Sequence, residues 1–341
     1  MFLLLRKCIK EVNINQITYK YFKLYIDLGG GIGIVEMLKK TNILALVGGG
    51  RLPKYSKNKI TIWDDHQGKI ISQIRFNKDV LSVKMRTDSI IGILEDKIYI
   101  IHIQTLEIID ILDTLKNQNG IFAMSNDDFD LSVAFPQAKN KGKVKFISYN
   151  IEKNNFNKNI TKIFNAHETN IAYITMNNKG TLLVTASDKG TYIRLFNIMN
   201  KEMIIELKRG SKNVKINCLA LDFNNEFLAC TSDAGTIHIF DIHEVNKILE
   251  SYEDKDQNKI NNENKIKEKE KPKIKIKERS FTKYKIQEER SIVGFYQSNS
   301  FVALTSNGIV YKASFDVKNG IYKNEKNFIK IGHEKQIYIY L

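Results

Sequence analysis

Two segments of this chain repeat one another 45 residues apart, and no other feature constrains the fold as much. Residues 181–198 read TLLVTASDKGTYIRLFNI and residues 226–242 read EFLACTSDAGTIHIFDI, with Ser187 and Ser232 in register. Each copy holds an apolar strand, a Ser-Asp turn, a Gly-Thr pair and an alternating strand that runs to a Phe. Several short alternating strands suit a sandwich or a barrel as well. A recurrence of about 40 to 45 residues that carries a hairpin in each copy favours the blades of a β-propeller. Gly190 and Gly235 supply turn conformations that other residues avoid.

Weaker copies flank this pair. NILALVGG at 42–49 precedes KITIWDD at 59–65, SIIGILEDKIYIIHI at 89–103 is a compact hairpin, DLSVAFP at 130–136 precedes KVKFISYN at 143–150, and SFVALTSNGIVYKASF closes the series at 300–315. Alternation dominates and no long helical period appears. Six full copies result, and a seventh would fall at or before Met1. The chain therefore reads as one all-β domain over 1–341, a seven-bladed WD-type propeller whose first blade is incomplete, with residues 1–28 as substitute strands. Ser232 and Ser306 stand 74 residues apart, and the excess lies in 243–279. Seven lysines occupy alternate positions from Lys265 to Lys277. Polar, highly charged and low in complexity, 243–278 reads as a disordered loop within blade six.

The formal net charge of +15 points to anionic partners, and a solvated surface in a Lys-, Asn- and Ile-rich sequence accounts for it equally well. Cys8, Cys218 and Cys230 form no CxxC pair, which suits a reducing compartment. No apolar run approaches the roughly 20 residues of a membrane span. Met1 to Leu5 is too short for a signal sequence before Arg6 and Lys7, so the expectation is a cytoplasmic protein that is at most peripheral on membranes. The glycine triplets at 29–31 and 48–50 lack the pattern of nucleotide loops, and the six histidines lack metal-ligand spacing. Asp64-Asp65 after Trp63 reads as the end of a WD-like strand rather than a carboxylate dyad. With no nucleophile elbow and no HExxH, neither an enzyme, a cofactor nor a metal is expected.

At 185–210, TASDKGTYIRLFN followed by ELKRG resembles the PROPPIN family, WD-repeat proteins that interact with phosphoinositides. Their hallmark is a Phe- or Leu-Arg-Arg-Gly turn between two blades, here Leu207-Lys208-Arg209-Gly210. LGGGIGIVEML at 28–38, ALVGGGRLPKYSKNKITIWDD at 45–65, AHETNIAYITMNNKGT at 166–181 and CTSDAGTIHIFDI at 230–242 match in order. The resemblance implies two headgroup sites on the propeller rim. Site one would use Lys208 with His167, Thr185, Ser187, Thr191 and Arg194, and Lys189 would add charge. Site two would use Arg209 with Thr231, Ser232, Thr236 and His238. The implied ligands are phosphatidylinositol 3-phosphate and phosphatidylinositol 3,5-bisphosphate.

The residue types suit a phosphomonoester. Arg offers a planar fork, Ser and Thr add neutral donors, and a protonated His adds a charged one. Consecutive basic residues on an extended turn point to opposite sides, so both side chains are expected to be exposed. Lys208 stands where the family has Arg and acts as a point charge. The blade-six loop lacks the apolar residues with which relatives enter the bilayer, so its contact would be electrostatic. The segment 45–65 resembles the branch linked to an autophagy lipid-transfer protein, the implied protein partner. The implied role is a monomeric membrane adaptor in autophagy or related trafficking. Preautophagosomal, endosomal or vacuolar membranes are the implied locations, and a plastid membrane is a further one. No nucleic acid is expected. The alternative is a scaffold propeller that binds proteins without lipid.

Overall fold

The computed structural model describes residues 30–126, 130–152, 155–259, 275–277, 280–286, 290–297, 299–316, 322–323 and 329–330. These form six sheets in chain order, each built on a four-strand antiparallel meander. Sheet one holds β1 (Ile32–Met37), β2 (Ile43–Gly48), β3 (Lys59–Asp64) and β4 (Lys69–Arg75). Sheet two holds β5 (Ser82–Met85), β6 (Ser89–Ile93), β7 (Lys97–His102) and β8 (Ile108–Asp113). Sheet three holds β9 (Ala123–Met124), β10 (Asp130–Pro136), β11 (Lys143–Glu152) and β12 (Asn155–Asn165). Sheet four follows with β13 (Ile171–Met176), β14 (Leu182–Ser187), β15 (Tyr192–Asn197) and β16 (Met203–Lys208). Sheet five has β17 (Ile216–Leu221), β18 (Phe227–Ser232) and β19 (Thr236–Asp241). After helix α1 (His243–Lys259) and β20 (Lys275–Lys277), β21 (Thr282–Lys285) completes it. Sheet six has β22 (Ser291–Gln297), β23 (Ser300–Thr305) and β24 (Ile309–Phe315), with β25 (Tyr322–Lys323) and β26 (Ile329–Lys330) both paired to β24.

The first strand of every sheet lines one central cavity of about 110 Å³, through Glu36, Lys84, Met124, Tyr173, Cys218 and Val293 among others. The sheets thus stand around a common axis as blades, and the fold is the WD-type propeller that the repeat predicts. Blades stacked on both sides explain the burial. All six residues of β14, β18 and β23 are buried, because each second strand lies between two neighbouring sheets. The outer strand β4 is open by contrast, and Ile70 and Ile71 are exposed there. One core cluster joins Val35 and Leu46 of sheet one to Phe227 of sheet five and Phe301 of sheet six, so the last blades pack against the first. The incomplete blade expected from residues 1–28 lies outside the described residues. Counting it as blade one makes sheet five blade six.

The repeat reappears in three dimensions. Ser187 and Ser232 each end a second strand, and the backbone N–H of Gly190 or Gly235 closes the following turn by donating to the serine carbonyl. Gly190 and Gly235 take φ of +62° and +65°, where a side chain would be strained. In sheet six the equivalent position is Thr305, which ends β23, rather than Ser306.

The expected loop at 243–278 needs correction in its first half, where α1 runs from His243 to Lys259. Asp241 accepts the His243 N–H at 3.1 Å at its start, and Glu244 lies in the first turn where the helix dipole favours an acid. Val245 and Leu249, four residues apart, are buried in the core cluster of sheets four and five, with Ile248 packed beside them. Three apolar residues at helical spacing sufficed to dock a segment whose composition otherwise reads as disorder. β20 then pairs parallel to β16, adding a fifth strand to sheet four. Residues 260–274 lie outside the described residues.

Candidate functional site

The basic turn lies where β16 leaves sheet four for β17, and backbone bonds hold it to the hairpin loop between β14 and β15. The N–H of Arg209 donates to the Thr191 carbonyl at 2.8 Å and the N–H of Val214 to the Lys189 carbonyl at 3.1 Å. The next hairpin is joined in the same way, with Asp233 N–H on the Lys215 carbonyl at 3.0 Å. Gly190 is required for this approach, since a Cβ there would sit 2.1 Å from the Val214 oxygen.

Lys208 is half-buried at the end of β16, opposite Tyr192, and its ammonium has no hydrogen-bond or ion-pair partner among the described residues. Lys189 is exposed and equally unpartnered there, and Thr191 is half-buried. His167 and Thr185 share a hydrogen bond between Nε2 and Oγ1 at 3.0 Å, with Thr185 fully buried. Arg194 is committed elsewhere: its Nε meets Glu206 at 2.6 Å and its Nη1 donates to the Ala166 carbonyl at 2.7 Å. Ser187 is buried beside the turn. Of the residues implied for site one, Lys208, Lys189 and Thr191 are the groups left open to an anion, while Thr185 and Arg194 are engaged within the fold.

The second set is more closed. Arg209 is 8% exposed, against the expected exposure of both basic side chains. Its Nε donates to the Gly190 carbonyl at 2.7 Å and its Nη2 to the Lys212 carbonyl. The reason is the turn itself, which folds back and leaves carbonyls that only a fork-shaped donor bridges. Thr231 is fully buried and donates to the Ser291 carbonyl of sheet six at 2.8 Å. Ser232 is fully buried too, and its Oγ has no hydrogen-bond partner among the described residues. Thr236 is half-buried, opposite Lys285. His238 is 5% exposed, stacks on Phe240 and meets Ser280 through Nδ1 at 3.3 Å.

Both histidines are held neutral rather than protonated. Burial, and then the Arg194 charge, push His167 down to about 4; the Thr185 hydrogen bond and Asp188 oppose this. Burial, and then the Lys283 and Arg209 charges, push His238 to about 4. The Arg209 guanidinium therefore acts on His238 electrostatically, after burial and the Lys283 charge. Sequence reading passed over Glu206, Ser280 and Lys283. Glu206 stands inside the quoted ELKRG and faces Arg194 across the β15–β16 pair, a relation visible only once the register is known. Among the described residues no group of three or more His, Cys, Asp or Glu side chains is placed to hold a metal ion. Likewise, no helix among them is long and apolar enough to cross a membrane.

Fold and rim together define a WD-type β-propeller with a tandem basic turn between two of its blades. The family model of the PROPPINs matches residues 31–255, and the chain belongs to that family. Autophagy-related protein 18e of Arabidopsis thaliana is 27% identical over 292 residues, 85% of this chain and 74% of the relative. SVP1-like protein 2 of Neurospora crassa is 35% identical over 219 residues, 63% of this chain and 48% of the relative. Autophagy-related protein 18 of Komagataella pastoris is 31% identical over 258 residues, 66% of this chain and 48% of the relative. The chain thus spans about half the length of the last two. Among solved structures, Kluyveromyces lactis Hsv2 with its complete loop 6CD superposes with a TM-score of 0.64 at 18% identity, covering 85% of this chain and 84% of that one. KlAtg21 in complex with the coiled coil of AgAtg16 gives 0.64 at 20% identity, covering 85% and 84%.

Proposed function

We propose that this propeller is a phosphoinositide-binding peripheral membrane adaptor in autophagy or related trafficking, a binding module rather than an enzyme. The observation that carries this reading is Lys208, an ammonium without a partner among the described residues, on a turn tied by backbone bonds to the hairpin that carries Lys189 and Thr191. An anion that reaches it meets a fixed positive charge, the exposed Lys189 and the Thr191 hydroxyl. A bound phosphate dianion would also draw His167 back towards its charged form, adding a donor that the free protein lacks. Site two would engage through the half-buried Thr236 hydroxyl and the remaining face of Arg209. Two weak sites on one rigid rim reinforce each other, because the second engagement is intramolecular. The ligands that fit the family are phosphatidylinositol 3-phosphate and phosphatidylinositol 3,5-bisphosphate. Preautophagosomal, endosomal or vacuolar membranes are the proposed location, and a lipid-transfer protein of autophagy is the proposed protein partner.

Vesicle flotation tests this. Vesicles with 3-phosphorylated inositides should recruit the protein far better than phosphatidylserine vesicles of equal charge; equal recruitment would reduce it to a general basic binder. A second reading, a scaffold that binds proteins without lipid, draws on the coiled-coil complex of KlAtg21. It also draws on the apolar side chains Ile70, Ile71, Ile108 and Ile111, exposed on the outer strands β4 and β8.

A further inference from the structure

Backbone bonds continue along the rim beyond the two sites, onto sheet three. The carbonyl of Gly142, in the loop between β10 and β11, accepts from the N–H of Ala166 at 3.1 Å and of His167 at 2.9 Å. Gly142 sits at φ +68°, and a Cβ on it would lie 1.8 Å from the His167 oxygen, so this hairpin is seated against site one as closely as a backbone allows. Asp188 N–H then reaches the Asn170 carbonyl at 2.9 Å, which links the same connection to the β14–β15 loop. The hairpin tip, the His167 connection, the Lys189 loop and the Lys208 turn are therefore one continuous, rigid edge.

That edge is basic. Lys139 and Lys141 are exposed at the hairpin tip, and Lys189, Lys208, Lys212 and Lys215 follow along the arc. None of these six ammonium groups has a hydrogen-bond or ion-pair partner among the described residues. The acids on the same arc are fewer: Glu168, Asp188, which accepts from Thr169, and Asp233, which accepts the Lys215 N–H. On the adjoining loops of sheet two the lysines are neutralised instead, Lys78 by Asp96 at 2.8 Å and Lys116 by Glu95 at 3.4 Å. The unpaired arc thus has an end, and that end is the Lys139–Lys141 hairpin tip.

We propose that Lys139 and Lys141 form a third membrane contact, one that takes the phosphate and carboxylate groups of bulk anionic phospholipids beside the headgroup pocket. The inference rests on the membrane-binding reading above and adds to it a surface that senses lipid charge rather than lipid identity. Fixed lysines at an anionic surface contribute about fivefold in affinity each. The strength of recruitment then depends on phosphatidylserine content while the choice of inositide does not.

The test uses the full chain, wild type and Lys139→Gln/Lys141→Gln, on vesicles carrying a 3-phosphorylated inositide with and without phosphatidylserine. Soluble inositol 1,3-bisphosphate is titrated alongside. The double variant should lose about 25-fold in affinity on the phosphatidylserine vesicles. It should match wild type on the vesicles lacking phosphatidylserine and for the soluble headgroup. Lys78→Gln, on the neutralised loop, should leave every measurement unchanged. A phosphatidylserine increment that survives in the double variant overturns the proposal, as does an equal loss for soluble headgroup. Wild-type binding that needs phosphatidylserine and these two lysines but ignores the inositide would support this contact and overturn the headgroup reading instead. Binding to neither kind of vesicle would overturn both.

Discussion

Arg209 donates through Nε to the carbonyl of Gly190 at 2.7 Å, so the second basic residue of the tandem pair closes its own turn onto the neighbouring hairpin. A buried guanidinium with two carbonyl partners is costly to remove, because the carbonyls lose their donor and the turn loses its tie. Replacing Arg209 by Thr should therefore lower stability by about 2 to 3 kcal/mol. Lys208→Thr should stay within about 0.5 kcal/mol of wild type, as expected for an unpartnered charge. Urea denaturation of both variants checks this, and equal midpoints would remove Arg209 from its structural role.

The proposed lipid role of the turn is best tested at Lys208, whose replacement should leave the fold intact. Lys208→Thr should weaken binding to 3-phosphoinositide vesicles by about tenfold or more. Lys208→Arg should bind at least as well as wild type, because it restores a two-donor fork. Vesicle titration with the thermal midpoint measured in parallel separates binding from unfolding. Undiminished binding by Lys208→Thr would place the anion elsewhere on the rim.

Acid should destabilise the protein through its two neutral histidines. His167 and His238 titrate at about 4 in the fold, below an ordinary histidine near 6.5. The unfolded chain therefore binds more protons between these values. Stability is complete above about pH 6.5 and falls as the pH drops towards 4, by on the order of 3 kcal/mol per histidine at most. His238→Gln should lose less stability than wild type between about pH 7 and pH 5. The slope of stability against pH, measured by denaturant unfolding, decides the matter; parallel slopes would clear His238.

The lysine-rich stretch before β20 is expected to act by charge. The neighbouring aromatic Phe281 is engaged in the core, its ring centroid 6.1 Å from those of Phe227 and Phe315. Replacing 260–274 by a short Gly-Ser linker should weaken vesicle retention at low salt. It should make little difference near 1 M, where screening acts within about 3 Å. Retention that resists salt and disappears with the segment would mean apolar insertion.

How much of this was legible in the chain follows from the range of the forces involved. The 45-residue recurrence, the alternating strands and the glycines at 190 and 235 are local: pleat and turn geometry act over a few residues, so the propeller and its hairpins could be read directly. The tandem pair at 208–209 was equally visible as a motif. Its division of labour was not. Only the stacking of β16 against β15 gives Arg194 the carboxylate of Glu206, and only the folded turn offers Arg209 the carbonyls of Gly190 and Lys212. Burial, which holds His167 and His238 neutral, belongs to no segment taken alone. Nor does the helix at His243–Lys259, whose local composition argues for disorder until Val245 and Leu249 find the core of sheets four and five. Sequence by itself determined the blades and the presence of charge on one turn. Tertiary packing decided which charges are spent on the fold and which, like that of Lys208, remain free, because desolvation and pairing depend on neighbours that the chain brings together only when the ring closes.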